Sequence, residues 1–245
     1  VGRILNNLYI ALYYNMSELP MVTIVTPVTY SRVKFMHLMV SNVMNQTYPH
    51  SRLEWLVVGD DLLKTKESFE DAFKNIPSVK CRYIPCDIMR DIGAKRNFAV
   101  SHVSTKIASN QDSDDKYSSS HIEYSVSELK RTKSGIVGCK DMLVFFQENG
   151  GKMVYLKGNS IHEGTMTHTL RHWKVNKYHK NTMKAEGTRM VNGNYFNELD
   201  IRKIMICIAH GDNTYDKSRF LGNPVVDLSD DAKNNITNLI NGVIK

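Results

Sequence analysis

Asp112, Asp114 and Asp115 fall within four residues of one another, interrupted only by Ser113. Carboxylates packed this closely repel, and such a cluster is stable in a folded chain only where a cation or hydrogen-bond donors neutralise it. Oxygen ligands at this spacing suit a hard divalent ion, Mg2+ or Mn2+, of the kind that holds a diphosphate. The plainer reading is an acidic loop at the start of the following helix, Ser118 to Arg131. About 16 residues upstream, Lys95-Arg96-Asn97 puts two cations near a helix start, where they could meet phosphate, although such a triplet alone is more often helix surface. His168 and His172 are four apart, yet no HExxH motif accompanies them, so polar groove residues are a better reading than zinc ligands. Trp173 and Tyr178 could stack on a ring, but aromatics in this setting more often fill a core.

The elements that must position these residues alternate. The run 21–26 (MVTIVT) reads as a β-branched strand stopped by Pro27, and 31–46 as a helix with Val33, Met36, Val40, Val43 and Met44 on one face. A second strand, 53–58 (LEWLVV), ends at Gly59-Asp60-Asp61. Then come a helix around 65–75, a strand near 80–85, a helix over 90–103 with Ala94, Phe98 and Val103 facing inward, and a short strand at 105–109. Strands alternating with helices imply a mostly parallel sheet covered on both faces, and ligands bind such sheets at the carboxyl ends of the strands. The acidic residues sit at those ends. Farther on, 135–146 and 152–157 read as a hairpin about Glu148 to Gly151, and 203–210 as a strand. A last helix runs from Ser229 to Lys245, with Ala232, Ile236, Leu239, Ile240 and Val243 on its apolar face. Residues 1–20 form an amphipathic prelude, with Ile4, Leu5, Leu8, Tyr9, Leu12 and Tyr13 at helical spacing.

Composition sets the outer limits. At 245 residues, 42% hydrophobic and 23% charged, the chain has the make-up of one folded domain and not of a disordered one. No apolar run reaches the ~20 residues a membrane helix needs. Thirty-two Lys and Arg against 25 Asp and Glu leave a net charge of +7, which favours anionic partners. The basic residues are scattered and lack aromatic interleaving, so nucleic acid is not expected among those partners. Four cysteines without CxxC spacing suit reduced thiols, giving a cytoplasmic expectation. The start at Val1 suggests a piece of a larger polypeptide.

Five segments in order, Thr26-Pro27-Val28-Thr29-Tyr30-Ser31-Arg32, Asn45-Gln46-Thr47-Tyr48-Pro49, Glu54 to Asp61, Ile92 to Val100 and Asp112 to Asp115, resemble the family 2 glycosyltransferases with the GT-A fold. The match spans roughly 21–117. A weaker continuation covers 163–173, 184–190 and 210–215, which look like the family's acceptor-side segment, catalytic carboxylate and C-terminal His-Asn-Thr motif. The resemblance implies an α/β, GT-A-like single domain over 21–220, flanked by helical extensions at 1–20 and 221–245. Its nucleotide-sugar half would be about 21–117 and its acceptor half about 118–220. It also implies an inverting, metal-assisted transfer from a nucleotide-sugar, a UDP-sugar in preference to a GDP-sugar, to a hydroxyl of a glycan, protein or lipid acceptor. Thr26 and Tyr30 would line the nucleotide pocket, Asp60 would bind the base, and Arg96 would reach the nucleoside or diphosphate. Asp112 would contact the ribose and, with Asp114 as the principal DXD-type ligand and His210 completing the site, hold Mn2+ or Mg2+. Glu186 matches the general base.

The pattern is departed from at three places. Val28 looks like an insertion and Ser31 replaces the usual Asn; Gly59 stands where the first of two acids is frequent; and Gly187 replaces the usual Asp after Glu186, so the base is that glutamate or lies elsewhere. The alternatives are a catalytically inactive nucleotide-binding module of the same fold and a nucleotidyltransferase.

Overall fold

The computed structural model describes residues 19–60, 62–86, 91–182, 185–191, 196–213 and 216–241. The expected prelude helix falls almost wholly outside these residues, as do Asp61 and the end of the last helix at Val243.

Every residue of β1 (Val22–Pro27) and β2 (Leu53–Gly59) is buried. Apolar runs of this kind suit strands covered on both faces. They pair in parallel, Val22 opposite Leu53, and β1 pairs in parallel with β4 (Ile107–Asn110) on its other side, while β2 pairs with β3 (Lys80–Pro85). Between β1 and β2 the chain forms a 3-10 turn at Tyr30–Phe35 and then α1 (Met36–Met44), so the helix read over 31–46 is real but its first turns are tighter. α2 (Leu63–Lys74) lays Phe69 and Phe73 edge-on against Trp55 of β2. α3 (Ile92–Ser101) follows β3, and α4 (His121–Thr132) buries Ile122, Val126 and Leu129 after the short β5 (Lys116–Tyr117).

The run 135–146 divides into two strands. β6 (Ile136–Gly138) stays in the main sheet, whereas β7 (Met142–Phe146) enters a second one and forms the expected hairpin with β8 (Lys152–Leu156). The turn between them uses Gly150 and Gly151 at φ 69° and 70°, the left-handed region where a side chain is strained. Next come β9 (Thr167–Thr169), α5 (Leu170–Val175), α6 (Thr188–Val191), β10 (Asn197–Glu198), β11 (Met205–Ala209), β12 (Val225–Val226) and α7 (Asp230–Ile240). Ser229 caps α7 by accepting from the Ala232 N–H, as its sequence suggests.

The main sheet runs β10-β6-β9-β4-β1-β2-β3, and the second β12-β8-β7-β11-β5. In the first, β9 is antiparallel to β4 and β6, and the other pairs are parallel. The fold is therefore the expected α/β one with a mostly parallel central sheet, plus a second small sheet that the sequence did not announce. No helix among the described residues is long and apolar enough to cross a membrane.

Candidate active site

The acidic loop leaves β4 and returns as β5, so it bridges the two sheets. Gln111 N–H donates to Val25 of β1, and Asp115 Oδ1 accepts from Ile208 N–H of β11. Its three carboxylates find separate partners, which answers how they tolerate one another. Asp112 Oδ1 takes the Arg96 Nη2 at 2.7 Å. Asp114 Oδ2 takes Arg32 Nη1 at 2.5 Å, His210 Nε2 at 2.9 Å and Asn213 Nδ2 at 3.2 Å. Asp115 is fully enclosed; burial, with Asp114 and Asp112 nearby, pushes its carboxyl up to about 7. Burial acts on Asp114 in the same sense, but the His210 hydrogen bond and the Arg32 and Lys217 charges outweigh it and hold that carboxyl well below its usual range. Lys217 itself donates to Ile208 O and Cys207 Sγ.

Helix α3 delivers the other cation. Asp91 caps it by accepting from Ala94 N–H, and the helix turns Lys95, Arg96 and Asn97 inward rather than toward solvent. Ala94 and Phe98, expected inside, are only half-buried. Lys95 Nζ reaches Val28 O at 3.1 Å and Asp60 Oδ1 at 3.3 Å. Arg96 is 3% exposed and lies between two acids: its Nε donates to Glu186 Oε1 at 2.9 Å while Nη2 holds Asp112. Its Nη1 is buried and finds no hydrogen-bond partner among the described residues, a donor available to a ligand oxygen. The close approach of Glu186 depends on Gly93, where a Cβ would stand 1.8 Å from His179 O and 3.0 Å from Glu186 Cβ.

The residues singled out by sequence do not all converge. Asp114 and His210 lie together, Oδ2 and Nε2 2.9 Å apart. Asp112 is instead held by Arg96 Nη2, apart from the hydrogen bonds that join Asp114 to His210. Thr26 turns inward, 2% exposed, and accepts the Trp55 indole N–H, so its hydroxyl is a core contact and not a pocket wall. Tyr30 is 51% exposed, and its N–H donates to Asp60 Oδ2 at 2.8 Å, which places the two at one rim. Trp173 and Tyr178 are core residues, joined to Asn97 and Asn110. His168 and His172 lie on different elements and bond Tyr178 and Met190 O, respectively.

Sequence reading assigned no role to Arg32, Glu163 or Lys217. Arg32 lies in a quoted segment, but its partner Asp114 is 82 residues away. Glu163 is half-buried; burial first and Glu186 second push its carboxyl up to about 7. Its Oε1 accepts from Gly187 N–H at 2.9 Å.

A divalent ion fits this set only together with a ligand. Asp114 and His210 offer a carboxylate oxygen and an imidazole nitrogen, a pair suited to Mn2+. No three His, Cys, Asp or Glu side chains among the described residues gather to hold an ion by themselves, so the remaining ligands would come from outside this set.

The family model described as Glycosyl transferase family 2 matches residues 23–196. Among solved structures, the chain is similar to the mannosyltransferase PcManGT from Pyrobaculum calidifontis in complex with GDP-Man and Mn2+. That match has 14% identity and a TM-score of 0.61, covering 79% of this chain and 57% of that one. It is also similar to S. aureus TarS 1-349 in complex with UDP-GlcNAc, at 12% identity and a TM-score of 0.61, over 79% and 60% of the two chains. The chain thus spans less than two thirds of either. No curated protein matches it.

Proposed function

Because the chain belongs to glycosyl transferase family 2, we propose that it transfers a sugar from a nucleoside-diphosphate sugar to an acceptor hydroxyl, with inversion and with help from a divalent ion. The observation that carries this reading is the pair of cation-bearing centres on one loop: Asp114 with Arg32 and His210, and Asp112 with the buried Arg96. Both sit at the carboxyl ends of β1, β2 and β4, where open α/β sheets bind ligands.

In this reading Asp60 and Tyr30 take the base at the rim and Lys95 holds Asp60 in place. Arg96 Nη1 donates to the donor's phosphate or sugar oxygens, and Asp112 keeps that guanidinium aimed and reaches the ribose. Asp114 and His210 hold Mn2+ or Mg2+, which supplies neutralisation of the leaving diphosphate when bound. Arg32 and Asn213, which donate to Asp114, would share those donors with the diphosphate oxygens. The acceptor's proton goes to a carboxylate of the Glu163–Glu186 pair. UDP is favoured over GDP, and the acceptor is a hydroxyl of a glycan, protein or lipid.

Thermal unfolding with UDP, GDP, CMP and dTDP, each with and without Mn2+, tests the reading. A ligand at 100 times its Kd stabilises by about 2.7 kcal/mol. One diphosphate is expected to raise the melting temperature with Mn2+, and Asp114→Ala to remove the Mn2+-dependent part. No shift with any nucleotide would sink the proposal and leave the inactive-module reading.

A further inference from the structure

We infer that the carboxylate taking the acceptor's proton is Glu163, and that Glu186 serves as a positioning residue for Arg96. The inference rests on the transferase reading above and deepens it.

A general base has to come within hydrogen-bond reach of the hydroxyl it deprotonates. Glu186 is 3% exposed, and its Oε1 is engaged by Arg96 Nε at 2.9 Å, deep against Gly93. Drawing it toward an acceptor would leave the guanidinium with Asp112 alone. Glu163 is half-buried, on the 3-10 turn Glu163–Thr165 that closes over the acidic loop. Its carbonyl accepts from Asn110 Nδ2 at the end of β4. At the next residue, Gly164, an added Cβ would lie 2.8 Å from Asp112 Oδ2. The Glu163 carboxylate is thus anchored beside the Arg96 cluster without being locked into it.

Gly187 completes the arrangement. A Cβ there would meet Met166 Cε at 2.2 Å and Glu163 Cγ at 2.8 Å, so the bare backbone makes room for the Glu163 side chain and donates its N–H to Oε1. The Gly187 N–H and Glu163's own backbone N–H both bond the carboxylate and fix its orientation, while its two oxygens keep lone pairs for an incoming proton. The groups facing Glu163 are Glu186 and Arg96 across the cluster, Asp112 beyond Gly164, Tyr178, and His162 on its own turn. Burial and the Glu186 charge favour a proton on it, which is what a base working near neutrality requires.

The step balances without further reactants. The acceptor O–H proton passes to Glu163, the acceptor oxygen bonds the anomeric carbon, and the bond from that carbon to the diphosphate breaks with its electron pair on the leaving oxygen.

The test uses hydrolysis of UDP-GlcNAc and GDP-mannose with Mn2+, water being the acceptor, together with nucleoside-diphosphate Kd. Glu163→Gln and Glu163→Ala are expected to keep Kd within about threefold and to lose hydrolysis by about 100-fold or more. Sodium azide, a nucleophile that brings its own electron pair and no proton, should restore diphosphate release by Glu163→Ala and give the glycosyl azide of inverted configuration. Glu186→Gln should weaken nucleotide binding and show no azide rescue. Wild-type hydrolysis by Glu163→Ala, or azide rescue of a Glu186→Ala enzyme instead, overturns the inference. A wild-type protein that binds and hydrolyses neither donor overturns the transferase reading, and the inference with it. The retained Kd of the Glu163 variants separates a lost proton acceptor from a lost fold.

Discussion

Arg96 is held by two acids in a place water hardly reaches, and this makes it the most consequential single residue described. Truncating one member of a buried ionic set leaves the others charged and uncompensated, at about 3–5 kcal/mol. Arg96→Met should lower stability to urea by that order and abolish nucleotide binding. Arg96→Lys should restore charge but not the two-pronged contact, recovering only part of either property. Glu163 gives a pH signature at the same scale. Its carboxyl, raised from 4.5 to about 7, keeps a proton in the folded state that the unfolded state has already released. Stability therefore falls as pH rises from about 4.5 to 7. Comparing wild type with Glu163→Gln by urea unfolding across that window isolates the effect: the variant's curve should be the flatter. Neither signature is legible in sequence, because the partners of Arg96 lie 16 and 90 residues away and only the fold unites them.

At the level of elements, the strand–helix alternation and the position of the acidic loop could be read directly, since hydrophobic period and strand-stopping residues are local properties. Helix α3 could not. Its Ala94 and Phe98 suggested an apolar inner face, but that side is taken by Lys95, Arg96 and Asn97, whose burial depends on partners from distant segments. The division of 135–146 between two sheets was hidden for a similar reason: β6 and β7 are both apolar, and only their pairing partners differ. Gly93 is where α3 meets the segment carrying Glu186. Gly93→Ala should force that segment off the helix, costing about 1–3 kcal/mol as an overpacked contact does. Limited proteolysis should then cut between residues 179 and 187 faster than in wild type, while the β1–β2–β4 amides keep their hydrogen-exchange protection.

Across the whole molecule, the loop from Asn110 to Ser118 is tied to both sheets, through Gln111 to β1, Asn110 to Met166 O and Asp115 to β11. The two sheets should therefore unfold together: tryptophan fluorescence, reporting Trp55 and Trp173, and far-UV circular dichroism should trace one transition that a bound nucleotide moves as a unit. The Arg32 guanidinium, 2.5 Å from Asp114, gives the site a further property. On the proposed reading, an ion arriving alone has to displace that guanidinium from Asp114 and leave it with the Asp212 carbonyl, whereas a diphosphate offers it a new anionic partner. Ion and nucleotide are then thermodynamically linked, each raising the other's affinity by the same factor. Titration calorimetry should find Mn2+ binding at least about tenfold tighter when UDP or GDP is present, a coupling of about 1.4 kcal/mol. Arg32→Ala should shrink that difference to the part owed to the diphosphate's own oxygens, leaving a protein that takes up metal more readily before a donor arrives.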